Sequence, residues 1–236
     1  MTGSVPVRSL DVIYQDQDLV AIHKPPGIHV HPSPLAPAEE NCQRLLRRQL
    51  GRWVWPVHRL DRATSGVQLF ALSAEEARRL SRLFAERRVG KEYLAVVRGF
   101  TPASGRIDHP LRERAGAAPA AAVTAYRRLG TVEWPAPAGR HATARFSLLA
   151  VQPETGRQNQ IRRHLHHVSH PVVGDVNFGD GTQNRYFREH FGLRRLLLMA
   201  SRISTESSSG RPLVIEAPLS AEIAALFEKF GWPGRL

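Results

Sequence analysis

The residues with the most evident chemistry are His58-Arg59-Leu60-Asp61-Arg62-Ala63-Thr64-Ser65-Gly66. One acid, two arginines, two hydroxyls and a glycine stand between two apolar runs, Trp53 to Val57 and Val67 to Leu72. Gly66 permits a tight turn, and Asp61 falls where a strand would end. A carboxylate flanked by arginines stays ionised and is held by charge-assisted hydrogen bonds. That suits a nucleophile or an electrostatic catalyst. The same residues could equally form a structural Arg–Asp pair at a hairpin corner. A hydrolase triad of Ser65, His58 and Asp61 is a weaker option. The chain lacks G-x-S-x-G there, and three residues of one turn do not easily converge on one substrate.

A second block is Gly156-Arg157-Gln158-Asn159-Gln160-Ile161-Arg162-Arg163-His164-Leu165. Ile161, Leu165 and Val168 recur at i, i+4 and i+7, which predicts a short helix with one buried face. Arg162 lies next to that stripe and could reach inward. Lys91 to Gly99 reads as a strand with Tyr93, Ala95 and Val97 on one face. Tyr93 taken alone is a core or interface tyrosine. Histidines invite a metal reading: His29 and His31 form H-x-H, and His164, His166, His167 and His170 cluster in sequence. Neither set has a further ligand at a usual spacing, so no metal is expected.

HRLDRATSG resembles the HRLDxxTSG signature of the RluA-type pseudouridine synthases. Lys24-Pro25-Pro26-Gly27 resembles that family's KPxG element, Lys91-Glu92-Tyr93 its K-x-Y element, and the second block its GRxHQIRxHL. The likeness extends over about residues 10–232. It implies an RNA enzyme that isomerises uridine to pseudouridine without cofactor or metal. Asp61 would be the nucleophile, attacking ribose C1′ or uracil C6 or acting through a glycal. Tyr93 would stack on the uracil, and Arg162 would pair with Asp61. The same motifs imply substrate contacts from His58, Arg59, Arg62, Thr64 and Arg157, and Leu198 near the target base. Gln183-Asn184-Arg185 and His190 to Ala200 are similar to a narrower branch that acts on uridine 65 of tRNA. Two positions depart from the pattern: Asn159 and Met199 stand where histidine is usual. Two alternatives remain open here: an rRNA enzyme of the same family, or a non-catalytic RNA-binding protein on its fold.

The elements that must position these residues are short. Strands are expected over 10–14, 19–23, 91–99, 123–129, 143–151, 196–203 and 211–217. Helices are expected over 39–50, from Ser73 to a stop at Gly90, around 161–168, and after Ser220. Strands outnumber helices without strict alternation. That predicts an α+β fold with a mixed, mostly antiparallel sheet and flanking helices. The resemblance adds a central cleft. Residues 1–9 read as a tail and 10–236 as a single catalytic domain. Ala115 to Ala122 and the stretch around Pro135, Pro137 and Gly139 read as loops.

The formal charge of +12 points to a polyanion, and only Lys24, Lys91 and Lys229 of the cations are lysines. The single cysteine, Cys42, rules out an internal disulfide. It fits a reducing cytosol. No stretch approaches the ~20 apolar residues of a membrane span. The expectation is a cytoplasmic monomer whose partner is RNA, most simply tRNA, with no membrane contact.

Overall fold

The computed structural model describes residues 9–32, 39–114, 116–135 and 142–233. Residues 1–8 of the expected tail and the loop residues Ala115, Pro137 and Gly139 lie outside them. In chain order the elements are β1 (Asp11–Gln15), β2 (Leu19–Lys24), α1 (Cys42–Leu50), β3 (Trp55–Pro56), β4 (Ser65–Ala71), α2 (Ala74–Ala85), β5 (Gly90–Arg98) and β6 (Ser104–Asp108). They continue with β7 (Val123–Trp134), β8 (Ala144–Pro153), α3 (Gln160–His167), α4 (Gly181–Phe191), β9 (Leu198–Glu206), β10 (Pro212–Glu216) and α5 (Ala221–Phe230). This is the expected α+β mixture of strands and flanking helices.

Two compact units share these elements. The first takes residues 1–89 and 202–217, the second residues 90–201 and 218–236. In the first, β2 pairs antiparallel with β1 and β4, and β10 pairs with the later residues of β9. Leu19, Ala21, Val67, Leu69 and Ala71 pack with Leu80 and Leu83 of α2 and with Ile203 and Ile215. Ser73 caps α2 by accepting the Glu76 N–H, as the S-x-x-E spacing predicts. The helix ends at Ala85, short of the expected stop at Gly90. Arg87 turns into the left-handed region at φ 58°, and Arg88 N–H closes back on the Leu83 carbonyl. Gly90 instead opens β5. Helix α1 starts at Cys42 because the Asn41 side chain accepts the Arg44 N–H, and Gly51 ends it at φ 67°.

In the second unit β8 pairs antiparallel with β5 and β7, and β7 with β6. Its core is aromatic: Phe146, Phe187, Phe227 and Phe230 pack with Leu94, Val96, Leu197 and Met199. Met199 is thus a buried thioether in an apolar cluster. Helix α4 was not expected from periodicity, yet its ends are orthodox. Asp180 accepts the N–H groups of Thr182 and Gln183, and Gly192 closes the helix at φ 68°. Among the described residues no helix is long and apolar enough to cross a membrane.

Candidate active site

The loop that carries Asp61 hangs from three buried or half-buried side chains. Register pairs Lys24 with Gly66 and His23 with Val67, so the Lys24-Pro25-Pro26-Gly27 turn leaves β2 where the Asp61 loop enters β4. Lys24 is fully buried. Its Nζ donates to the carbonyls of Pro25 at 2.9 Å, Arg62 at 3.1 Å and Thr64 at 2.8 Å. Gly27, at φ 87°, donates its N–H to the Arg62 carbonyl, and Arg62 Nε donates back to the Gly27 carbonyl at 2.9 Å. Gln68, also fully buried, accepts the Leu60 N–H and donates to the His58 carbonyl at 2.8 Å. His58 Nε2 accepts the Leu69 N–H at 2.9 Å, and its ring stacks on Phe84 with centroids 4.8 Å apart. A ring nitrogen that accepts leaves the proton on Nδ1 in the neutral form.

Asp61 itself is half-buried and opens a turn in which its carbonyl accepts the Thr64 N–H at 3.1 Å. The surroundings are positive. Burial first, and then the charge of Arg62, hold the nearby His29 ring below the usual imidazole range. Arg59 and Arg62 are exposed, with Arg62 also 3.7 Å from Glu39. Thr64 is buried. Burial pushes the lone thiol, Cys42, up to about 11, so it is not poised as a nucleophile.

Tyr93, Arg157, Arg162 and Leu198 belong to the second unit. Tyr93 is half-buried on β5, opposite Val151 of β8. Leu197 and Met199 join the aromatic core, which places Leu198 on the other face of β9, buried at 3% exposure. Arg157 is half-buried; its Nε donates to the Ala121 carbonyl, and Glu113 lies 3.6 Å away.

Arg162 is buried and makes a bidentate pair with Asp175, at 2.6 Å and 2.7 Å. Its Nη1 donates to Asn159 Oδ1 at 2.8 Å, and the guanidinium lies 5.2 Å from the Phe178 ring centre. Burial alone would raise the Asp175 carboxyl. Arg162 and the N–H groups of Phe178 and Asn177 outweigh it and hold the carboxyl below its usual range. Asn159 sits at φ 53° just before α3, a left-handed position that Asn tolerates. The departure from histidine therefore keeps a hydrogen bond to Arg162. Gly174 makes the close turn before Asp175 possible, since a Cβ there would lie 1.9 Å from the Arg195 carbonyl oxygen.

Sequence reasoning missed the polar lattice that seats α3. Gln160 accepts from Thr155 and donates to the Val123 carbonyl and Thr124 Oγ1. His164, fully buried, bonds Thr124 Oγ1 through Nδ1 and the His109 carbonyl through Nε2. A carbonyl only accepts, so Nε2 carries a proton. Burial drives its pKa below the usual imidazole range. Among the described residues no group of three or more His, Cys, Asp or Glu side chains could hold a metal ion.

Two expectations follow. Lys24→Met strips a charged donor from three carbonyls and should cost about 3 kcal/mol in urea unfolding. It should also lower the reaction rate by loosening the Asp61 loop; wild-type stability would show that the ammonium is dispensable. For His164 the folded pKa lies below the unfolded one, so the unfolded chain binds more protons between them. Stability should be full above the ordinary value near 6.5 and fall as the pH drops toward the folded value. Melting curves from pH 7.5 to about 5 test this; His164→Gln should start lower and slope less.

A family model described as RNA pseudouridylate synthase matches residues 18–167. The protein named tRNA pseudouridine synthase C of Vibrio cholerae is 44% identical over 235 residues, covering 94% of this chain and 96% of its own. The protein of that name from Salmonella typhi is 44% identical over 239 residues, covering 96% and 92%. Among solved structures, Human RNA Pseudouridylate Synthase Domain Containing 1 superposes with a TM-score of 0.73 at 24% identity, over 92% of this chain and 86% of that one. Human RNA Pseudouridylate Synthase Domain Containing 4 gives 0.74 at 22%, over 96% and 95%. These two show the same fold. A family model spanning more than half of the chain and near full-length relatives at 44% identity establish that this chain belongs to the RNA pseudouridylate synthase family.

Proposed function

We propose that this pseudouridine synthase isomerises a uridine of tRNA, at position 65, with Asp61 as the nucleophile. The observation that carries the reading is the Asp61 loop. A buried ammonium, a buried amide and a histidine fix its backbone and leave Asp61 at its turn. A preset backbone lowers the cost of aligning a nucleophile with its target. The names of the relatives support tRNA as the substrate, and the +12 charge suits a phosphate backbone.

The target uridine is flipped out of its stack. Asp61 attacks, the glycosidic bond to N1 breaks, the uracil turns, and C5 bonds to C1′ as Asp61 is released; C5 then loses its proton and N1 takes one up. Tyr93 stacks on the base and Leu198 lies beside it. Arg162 is the cation of the reaction, already oriented by Asp175 and Asn159. Arg59, Arg62 and Arg157 contact phosphates, while His58 and Thr64 act through the loop they hold. The reaction takes place in the cytoplasm, needs no cofactor or metal, and uses residues 10–236 as one catalytic domain in a monomer.

Asp61→Asn should abolish pseudouridine formation in a tRNA transcript while RNA binding and melting temperature stay near wild type. Asn keeps the shape and loses the nucleophile. Turnover above a trace would remove Asp61 from the mechanism, and unchanged position 65 with modification elsewhere would overturn the site assignment. Arg162→Lys should keep partial activity and Arg162→Met almost none, because only a cation replaces a cation and lysine lacks the planar fork. Both are read on protein that still melts cooperatively, since either change strips donors from the buried Asp175. Equal activity of the two would mean that charge at 162 plays no part.

A further inference from the structure

Helix α1 ends at Gly51, and the segment after it presents an indole to solvent. Trp53 is 47% exposed, the most exposed aromatic ring among the described residues. Single exposed apolar residues are common on protein surfaces. This one has a built setting. Arg47 of α1 lies over its ring, 4.5 Å from the centre. Trp55 meets it edge-on, with centroids 6.4 Å apart and planes at 69°. Trp55 is itself half-buried against the cluster of Leu80 and Leu83, so the indole is braced from below.

Arg44 and Arg47 are exposed on the outer face of α1. Arg52 spends one amino group on the Leu72 carbonyl at 2.7 Å and keeps its charge. None of these three lies within ion-pair distance of a carboxylate among the described residues. Arg48 does, bonding both oxygens of Glu40 at 3.0 Å and 2.9 Å, and is not counted. An exposed indole with Arg47 over it, Arg52 beside it in the chain and Arg44 one turn back on α1 matches a nucleotide in two respects. The ring is an aromatic surface for a base, and the nearby cations suit its flanking phosphates.

We propose that Trp53, with Arg44, Arg47 and Arg52, is a docking platform for an unpaired nucleotide of the RNA substrate, separate from the uridine that Asp61 attacks. This rests on the reading that the substrate is RNA. The platform holds one stacked base and its flanking phosphates, and adds affinity without touching the reacting atoms. If the ring served only as apolar cover for the end of α1, its shape would matter and its π-face would not.

The experiment uses the full chain, a tRNA transcript and a short stem-loop carrying only the target uridine. Trp53→Leu keeps apolar volume without an aromatic face and should weaken transcript binding about tenfold or more. It should raise KM and leave kcat at saturating RNA in place. Trp53→Phe should bind within about threefold of wild type, since a face remains. Arg47→Gln should lower the slope of log affinity against log salt by about one. The stem-loop should bind all variants alike. Wild-type binding by a cooperatively melting Trp53→Leu protein would overturn the proposal. So would a loss in kcat alone, an unchanged salt slope for Arg47→Gln, or a shift in self-association with RNA binding intact. Absence of pseudouridine from wild-type reactions would fault the synthase reading instead, and the binding comparison would still stand.

Discussion

A buried ammonium governs the Asp61 loop. Lys24 has no exposed surface and spends its donors on the carbonyls of Pro25, Arg62 and Thr64. Charge-assisted bonds of this kind are about twice as strong as neutral ones, and a buried charge demands them. The constraint runs both ways. The carbonyls must stay where they are or leave a cation unsolvated, so the chain from 62 to 64 has little freedom. Asp61 inherits that rigidity through the backbone. Gly27 extends the clamp, since its φ of 87° lets the proline turn lie flat against Arg62.

The second unit solves a similar problem with a different pair. Arg162 and Asp175 are both buried, which is costly unless every donor and lone pair is used. Two bonds join the ions, Asn159 takes a third guanidinium proton, and Asn177 and Phe178 donate to the carboxylate. Asn184 ties the same turn from α4 by accepting the Gly174 N–H and donating to the Asp175 carbonyl. The network orients a guanidinium fork within the α3 start and keeps it charged.

The departures from the family pattern acquire physical content here. At 159 the fold needs a left-handed residue with an acceptor for Arg162, and asparagine meets both demands. At 199 the side chain points into an aromatic and aliphatic cluster, where a thioether packs without a polar atom to satisfy. Neither residue could be judged from the motif alone, because a motif records identity and not neighbours.

By itself the sequence determined the local elements and the chemistry-bearing motifs. Ser73 and Gly51 marked helix ends, the 161–165–168 stripe marked α3, and HRLDRATSG marked the Asp61 loop, because caps, periodicity and turns depend on residues close in the chain. Its errors were local too: α2 ended before Gly90 through a left-handed Arg87 that no propensity favours. Gln68 passed unnoticed inside an apolar run, although a lone polar residue in a buried strand was a legible sign that something must bond to it. Only the tertiary structure decided what those polar groups do. That Lys24 holds carbonyls 38 and 40 residues away, that His164 bonds the His109 carbonyl, and that Arg162 takes Asp175 all depend on which buried groups meet. Burial makes each such group require a partner, and the partner lies far along the chain, where spacing carries no signal.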